Sequence, residues 1–487
     1  MALKTGFSKS LAENEQTFRE LIGSQRGAVF RKVPLPGPPE AEVLLVFFDV
    51  ENDPFRLESM VIRPLLEGEV RLDELPKRLV PAGIKMQTVM DAISYVYRGK
   101  VLLLRDGSAD VYALEVAKPP TRALEPPETE SGVSGPREAF GEIHVINLAL
   151  LRRRYPGPDL RIESLWIGQD ARLEVSYVYL DGRPTEGMLS EVRQRLERVK
   201  QDGIQDATEL TEAMADANVS VFPSVLISER PDIVAQFLSA GRIAVLMDNS
   251  PRALIVPAVF MDFFTSADDY YEWRPFVMFL RLLRFLAFNI AVPLPALYVA
   301  VTTYHLQALP TQLTLSLLAQ REGAPLPPPI EAIVMTLTFE ILREAGIRLP
   351  RAIGPTVSIV GGLVIGDAAI RSGLTSPAMV LVVSATAVAT FSLPSTTLAN
   401  AATYYRFFVL ALASAFGFFG LLLGYLVALA NVASMSSLGV PYMSPLFPLR
   451  LKHMPAALGT KARPPKGRGT QADPNLVKEA ETFQEKG

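Results

Sequence analysis

TYYRFFVLALASAFGFFGLLLGYLVALANVAS, residues 403–434, decides the class of this protein. Arg406 is the one charged residue in it, and no further charge follows before Arg450. The surrounding region, 276–448, holds 13 charged residues and no lysine, while the rest of the 487-residue chain holds 86 charged residues. An uncharged apolar run of about 18 residues or more is typical of a membrane-spanning helix. The sequence therefore predicts an integral membrane protein with a large polar region before the membrane part and a short polar tail after it.

The composition argues against several classes of function. A net charge of -3 disfavours nucleic-acid binding by the whole molecule, so no nucleic-acid partner is expected. The chain has no cysteine, which removes disulfides and thiolate catalysis, and its three histidines lack metal-ligand spacing. The sequence carries no phosphate loop, nucleophile elbow or paired-carboxylate motif. We therefore expect a protein that is not an enzyme and has no cofactor and no metal site.

The polar region contains a repeated pattern. LEVSYVYLDGRP at 173–184 leads into a helical pattern, as does the strand-like run that ends at Asp49. GKVLLLRDGS at 99–108 matches GRIAVLMDNS at 241–250, and the turn signals between apolar runs predict a β-hairpin in each. Two copies in the same order predict two similar α/β subdomains. Chance recurrence of strand and turn patterns is the alternative.

These patterns divide the chain into six parts. A Pro-, Gly- and Ser-rich stretch between the two copies has the composition of a linker, which would let the two halves move relative to each other. The predicted parts are a flexible N-terminal tail and helix at 1–26, α/β subdomain 1 at 27–118, the linker at 119–138, α/β subdomain 2 at 139–265, the transmembrane domain at 266–448, and a polar, basic C-terminal tail at 449–487. The N-terminus lacks the apolar stretch of a signal peptide, so the N-terminal domain is expected on the cytoplasmic (core) side.

The membrane region begins with an unusual predicted span, 276–304. Arg281 and Arg284 lie near its start, where long side chains can reach the lipid headgroups. Pro293 and Pro295 should kink or break the helix and free backbone carbonyls that neighbouring groups must satisfy. The arginines and the basic tail both favour the inside, which requires an even number of spans. We therefore expect a membrane α-helical core of four or five spans, with four favoured.

A second polar feature is the predicted helix at 331–345. One stripe of this helix carries four polar side chains, those of Thr336, Glu340, Arg343 and Glu344. The helix would be about 22 Å long, which is short for a bilayer core of about 30 Å. Such a helix could lie in the membrane interface, line a water-filled cavity or stay buried in protein.

The next helical run has small residues along one side. These are Ser358, Gly361, Gly362 and Gly366. Small residues let helices approach closely in lipid, and a glycine-lined constriction is the alternative. One subunit with four or five spans has too few helices to enclose a water path, so a pore would need a homo-oligomeric ring. The stripe and the small face are therefore the candidate pore or gating residues.

Seven segments resemble a known family. They are SERPD at 228–232, DYYE at 269–272, RLLRFLAF at 281–288, LPALYVAVTTYH at 294–305, EILREAGIRLP at 340–350, IVGGLVIG at 359–366 and GVPYMSP at 439–445. In them the chain resembles the A-subunit family of spore germinant receptors, GerA, which includes a stage V sporulation branch. The segments are spread along residues 220–448, and their order and spacing match the family. The residues of the junction motif ahead of the membrane region are Glu229, Arg230, Pro231 and Asp232.

The resemblance implies a multi-pass protein of the spore inner membrane, the cell membrane of the forespore, that assembles into an oligomer. It implies a nutrient-gated or signal-gated ion channel that triggers or amplifies the release of cations and dipicolinate. In the receptor branch it implies two partners, a transporter-like B subunit and a lipoprotein C subunit. The alternatives are a secondary transporter and a non-conducting signalling and scaffold subunit of the same membrane.

Overall fold

The computed structural model describes residues 6–446 with several gaps. The gaps are 24, 26, 37–40, 50–51, 53, 68–83, 117–126, 128–129, 131, 133, 169–172, 203–206, 217–219, 323 and 349–353. For 41, 200–202, 347–348, 354–360 and 363 the backbone alone is described. The predicted C-terminal tail at 449–487 and the first part of the predicted linker, 119–126, lie outside the described residues.

The first α/β unit is a five-stranded antiparallel sheet with helices on both faces. Its strands are β1 Ala28–Leu35, β2 Ala41–Phe48, β3 Ile84–Met86, β4 Val101–Arg105 and β5 Val111–Leu114, in the order β1-β2-β4-β5-β3. Its helices are α1 Leu11–Ile22, then α2, which runs from Pro54–Leu57 through a π turn at Glu58–Ile62 into Arg63–Glu67, and α3 Val89–Val96. Strands β2 and β4 are apolar at nearly every position because α1 and α3 cover one face and α2 covers the other.

The second α/β unit repeats this arrangement. Its strands are β6 Leu160–Ile167, β7 Leu173–Leu180, β8 Leu226–Ser228, β9 Ile243–Met247 and β10 Ala253–Val256, in the order β6-β7-β9-β10-β8. Its helices are α4 His144–Arg154, α5 Glu186–Asp202, α6 Ala207–Met214 and α7 Pro231–Ser239. The two strand orders are equivalent position by position. Both predicted hairpins are present, as the antiparallel pairs β4–β5 and β9–β10.

The described residues before the first sheet and at the end of the predicted linker are packed against their neighbours. The predicted N-terminal helix is present as α1, which buries Leu11, Phe18 and Ile22 against the first sheet. The end of the predicted linker binds the second unit, where Glu130 accepts a hydrogen bond from Ser228 Oγ at 2.6 Å. This end of the linker is therefore held by polar contacts, whereas residues 1–5 of the predicted tail lie outside the described residues.

The third part of the fold is a layer of helices that follows two short 3₁₀ turns, Phe260–Phe264 and Ala267–Tyr270. Its helices are α8 Arg274–Ala291, α9 Leu294–Tyr304, α10 Thr311–Arg321, α11 Pro328–Arg348, α12 Gly354–Arg371, α13 Pro377–Phe391 and α14 Thr396–Ser434. Helix α11 has 21 residues and is about 31 Å long. The prediction that this helix is too short to cross a bilayer is therefore wrong. The helix begins at Pro328 and not at Glu331, because proline is tolerated in the first turn of a helix.

Helices α8 and α9 meet at a bend of 41°. Pro293 precedes the first residue of α9, and Pro295 lies in its first turn. Backbone N–H groups in a first turn have no acceptor within their own helix, so proline is tolerated there. The chain therefore continues in roughly one direction across the break. The backbone carbonyl of Ala291, at the end of α8, lacks a regular helical partner because of this break.

Helix α14 is interrupted at Gly417, whose φ of 60° and ψ of -136° are far from helical. A Cβ placed on Gly420 would lie 2.0 Å from the carbonyl oxygen of Leu412, and one on Gly424 would lie 3.3 Å from the Cα of Val409. In a straight helix, residues 15 apart are separated by about 22 Å. The two arms of α14 therefore run antiparallel, as a helical hairpin with its tip at Gly417. The prediction of one span at 404–434 is wrong, because the glycine conformation turns the chain back on itself.

The helical layer has two ends. At the distal end, away from the α/β units, the Tyr304 hydroxyl donates to the carbonyl of Ser414 at 2.7 Å, beside the hairpin tip. At the proximal end the chain returns to the second α/β unit after α14. There Leu438 and Val440 join the core of that unit, and the Tyr442 hydroxyl donates to the carbonyl of Pro223 at 2.6 Å. The beginning of α8 and the end of α14 therefore lie at the same end of the layer.

When α14 is counted as one 39-residue helix through the kink at Gly417, it is the one described helix long and apolar enough to cross a membrane by length and composition. The bent pair α8 and α9 passes the same test when it is treated as one span. Helix α13 is apolar but shorter, with 15 residues.

Candidate functional site

Arg406, on the first arm of α14, is the most completely buried charged residue of the described helical layer, with 0% of its side chain exposed. Its Nε donates to the Ala291 carbonyl at 2.8 Å, at the break between α8 and α9. Its Nη2 donates to Thr390 Oγ1 at 2.5 Å and its Nη1 to Glu340 Oε1 at 2.8 Å. One side chain therefore satisfies the carbonyl that the break exposes and joins α8, α11, α13 and α14.

Glu340 lies between two arginines. Its Oε2 accepts from Arg343 Nε at 2.7 Å, while its Oε1 accepts from Arg406 and, at 3.2 Å, from Thr403 Oγ1. Arg343 also donates to Asn400 Oδ1, at 3.3 and 3.4 Å. Two guanidinium groups thus share one carboxylate inside an apolar layer. Such a network is stable only while every partner is present, because an isolated buried charge is strongly unfavourable.

The four side chains of the predicted polar stripe lie in different surroundings. Glu340 and Arg343 join the network described above, but Glu344 is exposed. Thr336 is buried, and its Oγ1 has no hydrogen-bond partner among the described residues. The four side chains therefore do not line one continuous polar surface within a single chain.

The predicted small face is divided in the same way. A Cβ on Gly361 would lie 3.2 Å from Leu342 of α11, and one on Gly366 would lie 3.4 Å from Val380 of α13, whereas Gly362 has nothing within 4 Å. Gly361 and Gly366 thus face neighbouring helices, and Gly362 is on an open surface of the chain. The side chain of Ser358 lies outside the described residues.

The junction motif is built around a buried ion pair. Pro231 occupies the first position of α7, where its missing N–H leaves no bond unmade. Arg230 donates from Nε and Nη2 to Asp232, at 3.2 and 2.9 Å, and from Nη2 to the Pro136 carbonyl at 3.0 Å. Tyr271 donates its hydroxyl to Asp232 Oδ2 at 2.5 Å. The motif therefore holds the end of the predicted linker, α7 and the entrance to α8 together.

The electrostatics of this junction favour its ionised form. Burial opposes the charge on Asp232, but hydrogen bonds from Arg230 and Tyr271 outweigh it and hold the pKa of that carboxyl below its usual value. Burial and the bond to Asp232 raise the pKa of Tyr271 to about 12. Beside them, burial raises the pKa of Glu130, although Ser228 and the backbone N–H of Glu229 donate to its carboxylate.

A second ion cluster attaches the junction to α8. Asp269 is buried and accepts from Arg281 Nε at 3.1 Å and from Arg284 Nη1 at 2.8 Å. Arg284 also donates to the Phe264 carbonyl at 3.0 Å. The prediction that these arginines reach lipid headgroups is wrong, because the carboxylate of Asp269, 12 and 15 residues earlier in the chain, binds both of them.

Aromatic side chains complete the contact between the second α/β unit and the helical layer. Phe222 stacks on Tyr405, the neighbour of Arg406, with ring centroids 4.9 Å apart and planes at 20°. Phe260 packs edge-on against Phe288 of α8 at 5.7 Å. Offset and edge-on aromatic pairs stabilise a contact beyond the area they bury. A shift of the second unit would therefore act directly on the arm of α14 that carries Arg406.

Sequence reasoning missed two of the residues that organise this site, namely Arg406 and Asp269. Arg406 is the sole charge in a long apolar run, but the sequence alone does not identify its partner. That isolation was the available signal, because an ionisable residue inside a membrane segment needs a partner. Glu340 and Arg406 are 66 residues apart, so their pairing could not be found from helical spacing alone.

Comparison with known proteins gives a consistent set of relatives. The family model described as Bacillus/Clostridium GerA spore germination protein matches residues 16–465. Spore germination protein KA of Bacillus subtilis (strain 168) is 35% identical over 93% of this chain and 84% of that protein. The membrane protein YfkQ of the same strain is 36% identical over 91% of this chain and 87% of its own. The crystal structure of the N-terminal domain of the A subunit of the Bacillus megaterium spore germinant receptor GerK3 matches 53% of this chain and 99% of that chain, at 24% identity and a TM-score of 0.40.

Proposed function

This chain belongs to the GerA family of spore germination proteins, and we propose that it is the membrane subunit of a germination complex that conducts cations when a nutrient or another signal acts on it. In this proposal the two α/β units receive the signal, and the helical layer responds. The observation that carries the proposal is the Arg406 network, because it connects a broken helix to three neighbouring helices next to the contact with the second unit.

The proposed response is a rearrangement at the break. Arg406 reaches the Ala291 carbonyl and Glu340 at once, so a displacement of the first arm of α14 would change both contacts together. The Phe222–Tyr405 stack supplies a path for such a displacement from the second unit. Interfaces of this kind act as two-state elements because packed side chains do not deform continuously. Gating through this network is the central claim of the proposal.

The proposed membrane arrangement has an even number of crossings. The residues that lead into α8 contact α7 of the second α/β unit through Tyr270 and Tyr271, and the segment after α14 contacts the same unit, so both lie at one end of the layer. Between them the chain would cross as the bent pair α8 and α9, as α11, α12 and α13, and as the two arms of the α14 hairpin. This proposal keeps the N-terminal domain on the cytoplasmic (core) side and raises the number of crossings from four to six. The membrane itself would be the spore inner membrane.

The proposed pore is formed by a ring of copies of this chain. Gly362 is open to the outside of the chain, and Val364 beside it is 60% exposed, so α12 is available to a neighbouring copy or to a water path. Glu340 is bound to Arg343 and Arg406 in a single chain, so in this proposal gating releases it from these arginines, and its carboxylate, repeated around a symmetry axis, then favours cations. The resemblance to germinant receptor A subunits adds a transporter-like B subunit and a lipoprotein C subunit as proposed partners.

A non-conducting signalling subunit is the second candidate, favoured by the pairing of Glu340 with two arginines, which leaves that carboxylate occupied in a single chain. Spores that lack this chain, and the same spores with the chain restored, test whether it acts in germination, and cation flux through the purified assembly separates the two roles. We expect restored spores to release potassium ions before dipicolinate after nutrient addition. Normal release in spores without the chain, with no defect under any nutrient, would contradict a role in germination.

A further inference from the structure

Glu331, in the first turn of α11, has an environment that the Arg406 network does not explain. The residue is 1% exposed. Its Oε1 accepts three hydrogen bonds, from Thr375 Oγ1 at 2.6 Å, from the Ser376 backbone N–H at 2.6 Å and from Ser376 Oγ at 2.9 Å. Because Ser376 immediately precedes α13, this oxygen caps the N-terminus of that helix from a neighbouring helix.

The other carboxylate oxygen is not explained by this cap. Glu331 Oε2 is buried and has no hydrogen-bond partner among the described residues. Three other acids at or in the helical layer, Asp269, Glu340 and Asp367, each pair with an arginine, whereas Glu331 forms no ion pair with a described residue. Burying a carboxylate without a compensating charge is strongly unfavourable. A cation bound at Oε2 would supply a compensating charge, beside the more distant guanidinium of Arg321, whose charge also acts on Tyr298.

The surrounding groups are suited to a metal cation. Tyr298 of α9 places its hydroxyl 3.3 Å from Ser376 Oγ, so three hydroxyl groups, those of Tyr298, Thr375 and Ser376, gather around this carboxylate. Hydroxyl oxygens keep lone pairs after they donate, and hard cations prefer such oxygen ligands. From this geometry we propose that Glu331, Tyr298, Thr375 and Ser376 form a binding site for one monovalent metal cation, such as sodium or potassium.

Two other occupants are alternatives to a monovalent metal cation. A proton would neutralise the carboxyl, and the measurements below separate it from a metal cation by their dependence on pH. A divalent cation would need more negative charge than one carboxylate supplies, and the described residues contain no cluster of three or more acidic or histidine ligands. A single negative charge surrounded by neutral oxygens matches a single positive charge.

The site lies toward the distal end of the helical layer, because Tyr298 is less than two turns from Tyr304 at the hairpin tip. It is separate from the Arg406 network, which lies near the break between α8 and α9. The inference goes beyond the proposed function and does not depend on it. A chain that never conducts ions could still hold a structural cation here and tie α9, α11 and α13 together.

The test uses the full chain purified in detergent and compares its thermal unfolding in sodium, potassium and N-methyl-D-glucamine chloride at equal ionic strength. We expect either metal cation to raise the unfolding temperature above its value in N-methyl-D-glucamine. The Glu331→Gln variant should lose this increase, because the amide keeps the acceptor at the α13 cap but removes the charge. Glu322→Gln, which removes an exposed acid at the end of α10, should retain it.

A second variant keeps the test decisive if Glu331→Gln does not fold. Tyr298→Phe removes one hydroxyl ligand with little change in packing, and we expect about a tenfold higher cation concentration for half of the effect. An unchanged cation dependence in both variants would overturn the site. So would stability that follows pH but not the metal cation, since that result would identify a proton as the occupant.

Discussion

Arg406 Nη1 lies 2.8 Å from Glu340 Oε1, and the same guanidinium donates through Nε to the carbonyl of Ala291 at the break between α8 and α9. The ion pair and the helix break are thus parts of one contact. An arginine suits this position because its planar group presents several donors in fixed directions, which a lysine does not. The relationship explains how an apolar layer tolerates both a buried charge and an interrupted helix.

The first prediction concerns Arg406. Arg406→Gln should destabilise the purified chain by about 3–5 kcal/mol, because it leaves the Ala291 carbonyl and one side of Glu340 without a donor. Arg406→Lys should also destabilise, since one ammonium cannot reach all three acceptors. The measurement is the free energy of unfolding in detergent micelles. The double variant Arg406→Gln, Glu340→Gln should lose less than the sum of the two single changes.

Arg371→Gln is the matched control, because Arg371 forms a surface pair with Asp367 in which its side chain is 79% exposed. Exposed pairs contribute about 0–1 kcal/mol, so this variant should unfold almost like the parent. Equal losses in Arg371→Gln and Arg406→Gln would mean that the buried network has no special role.

The second prediction concerns the α14 hairpin. Gly420→Ala should destabilise the chain strongly, because the added Cβ would lie 2.0 Å from the Leu412 carbonyl and the two arms would have to separate. Gly362→Ala is the control, since its Cβ meets nothing within 4 Å, and replacing an interior helical glycine by alanine stabilises by roughly 0.5–1 kcal/mol. Unfolding of both variants in the same detergent is the measurement. A neutral Gly420→Ala would show that the arms are not in close contact.

The third prediction concerns acid stability of the junction. The pKa of Asp232 is lowered in the folded chain, so its ionised form contributes stability above the unfolded pKa of about 3.9. That contribution is lost as the pH falls through the lower, folded pKa. The difference in unfolding free energy between the parent and Asp232→Asn should therefore shrink below about pH 4. Tyr271→Phe should move the loss to higher pH, because it removes one donor to the carboxylate.

A difference in unfolding free energy between the parent and Asp232→Asn that stays constant from neutral to acid pH would contradict this account. It would mean that the asparagine acts through packing and not through the charge on Asp232. Arg161→Gln provides a control at an exposed pair with Asp181, and it should show little pH dependence of its own.

The fourth prediction concerns topology. The chain has no cysteine, so single cysteines can be introduced without a background signal. An impermeant maleimide should label Ser108→Cys in the first α/β unit and Thr470→Cys in the tail from the same side of sealed vesicles. Gln320→Cys, on the exposed helix α10, should be labelled from the opposite side. Labelling of residues 108 and 470 from opposite sides would require an odd number of crossings and would exclude the proposed arrangement.

The local features of the fold could be predicted from the sequence because each depends on neighbouring residues. Turn residues between apolar runs predicted both hairpins, and two prolines predicted the break before α9. In each case the controlling interaction lies within a few positions along the chain.

The site could be predicted only in part because its partners are distant in sequence. The stripe on α11 identified Glu340 and Arg343, but Arg406 comes from a helix more than 60 residues later. The α14 hairpin was missed because a glycine within an apolar run fits a continuous helix equally well, and the close approach of Gly420 to Leu412 is visible only in three dimensions. The spacing of these glycines also could not show that Gly362 is exposed while Gly366 is buried.

The most direct test of the central claim is cation flux through the germination assembly, purified through a tag on this chain and placed in potassium-loaded liposomes. The account predicts potassium efflux above that of protein-free liposomes, with altered ion selectivity in Glu340→Gln and reduced or misgated flux in Gly362→Leu. Variants should be compared at equal amounts of assembled protein. An intact parent assembly that passes no cation with or without nutrient, or variants that conduct like the parent, would contradict the claim that this chain forms and gates the ion path.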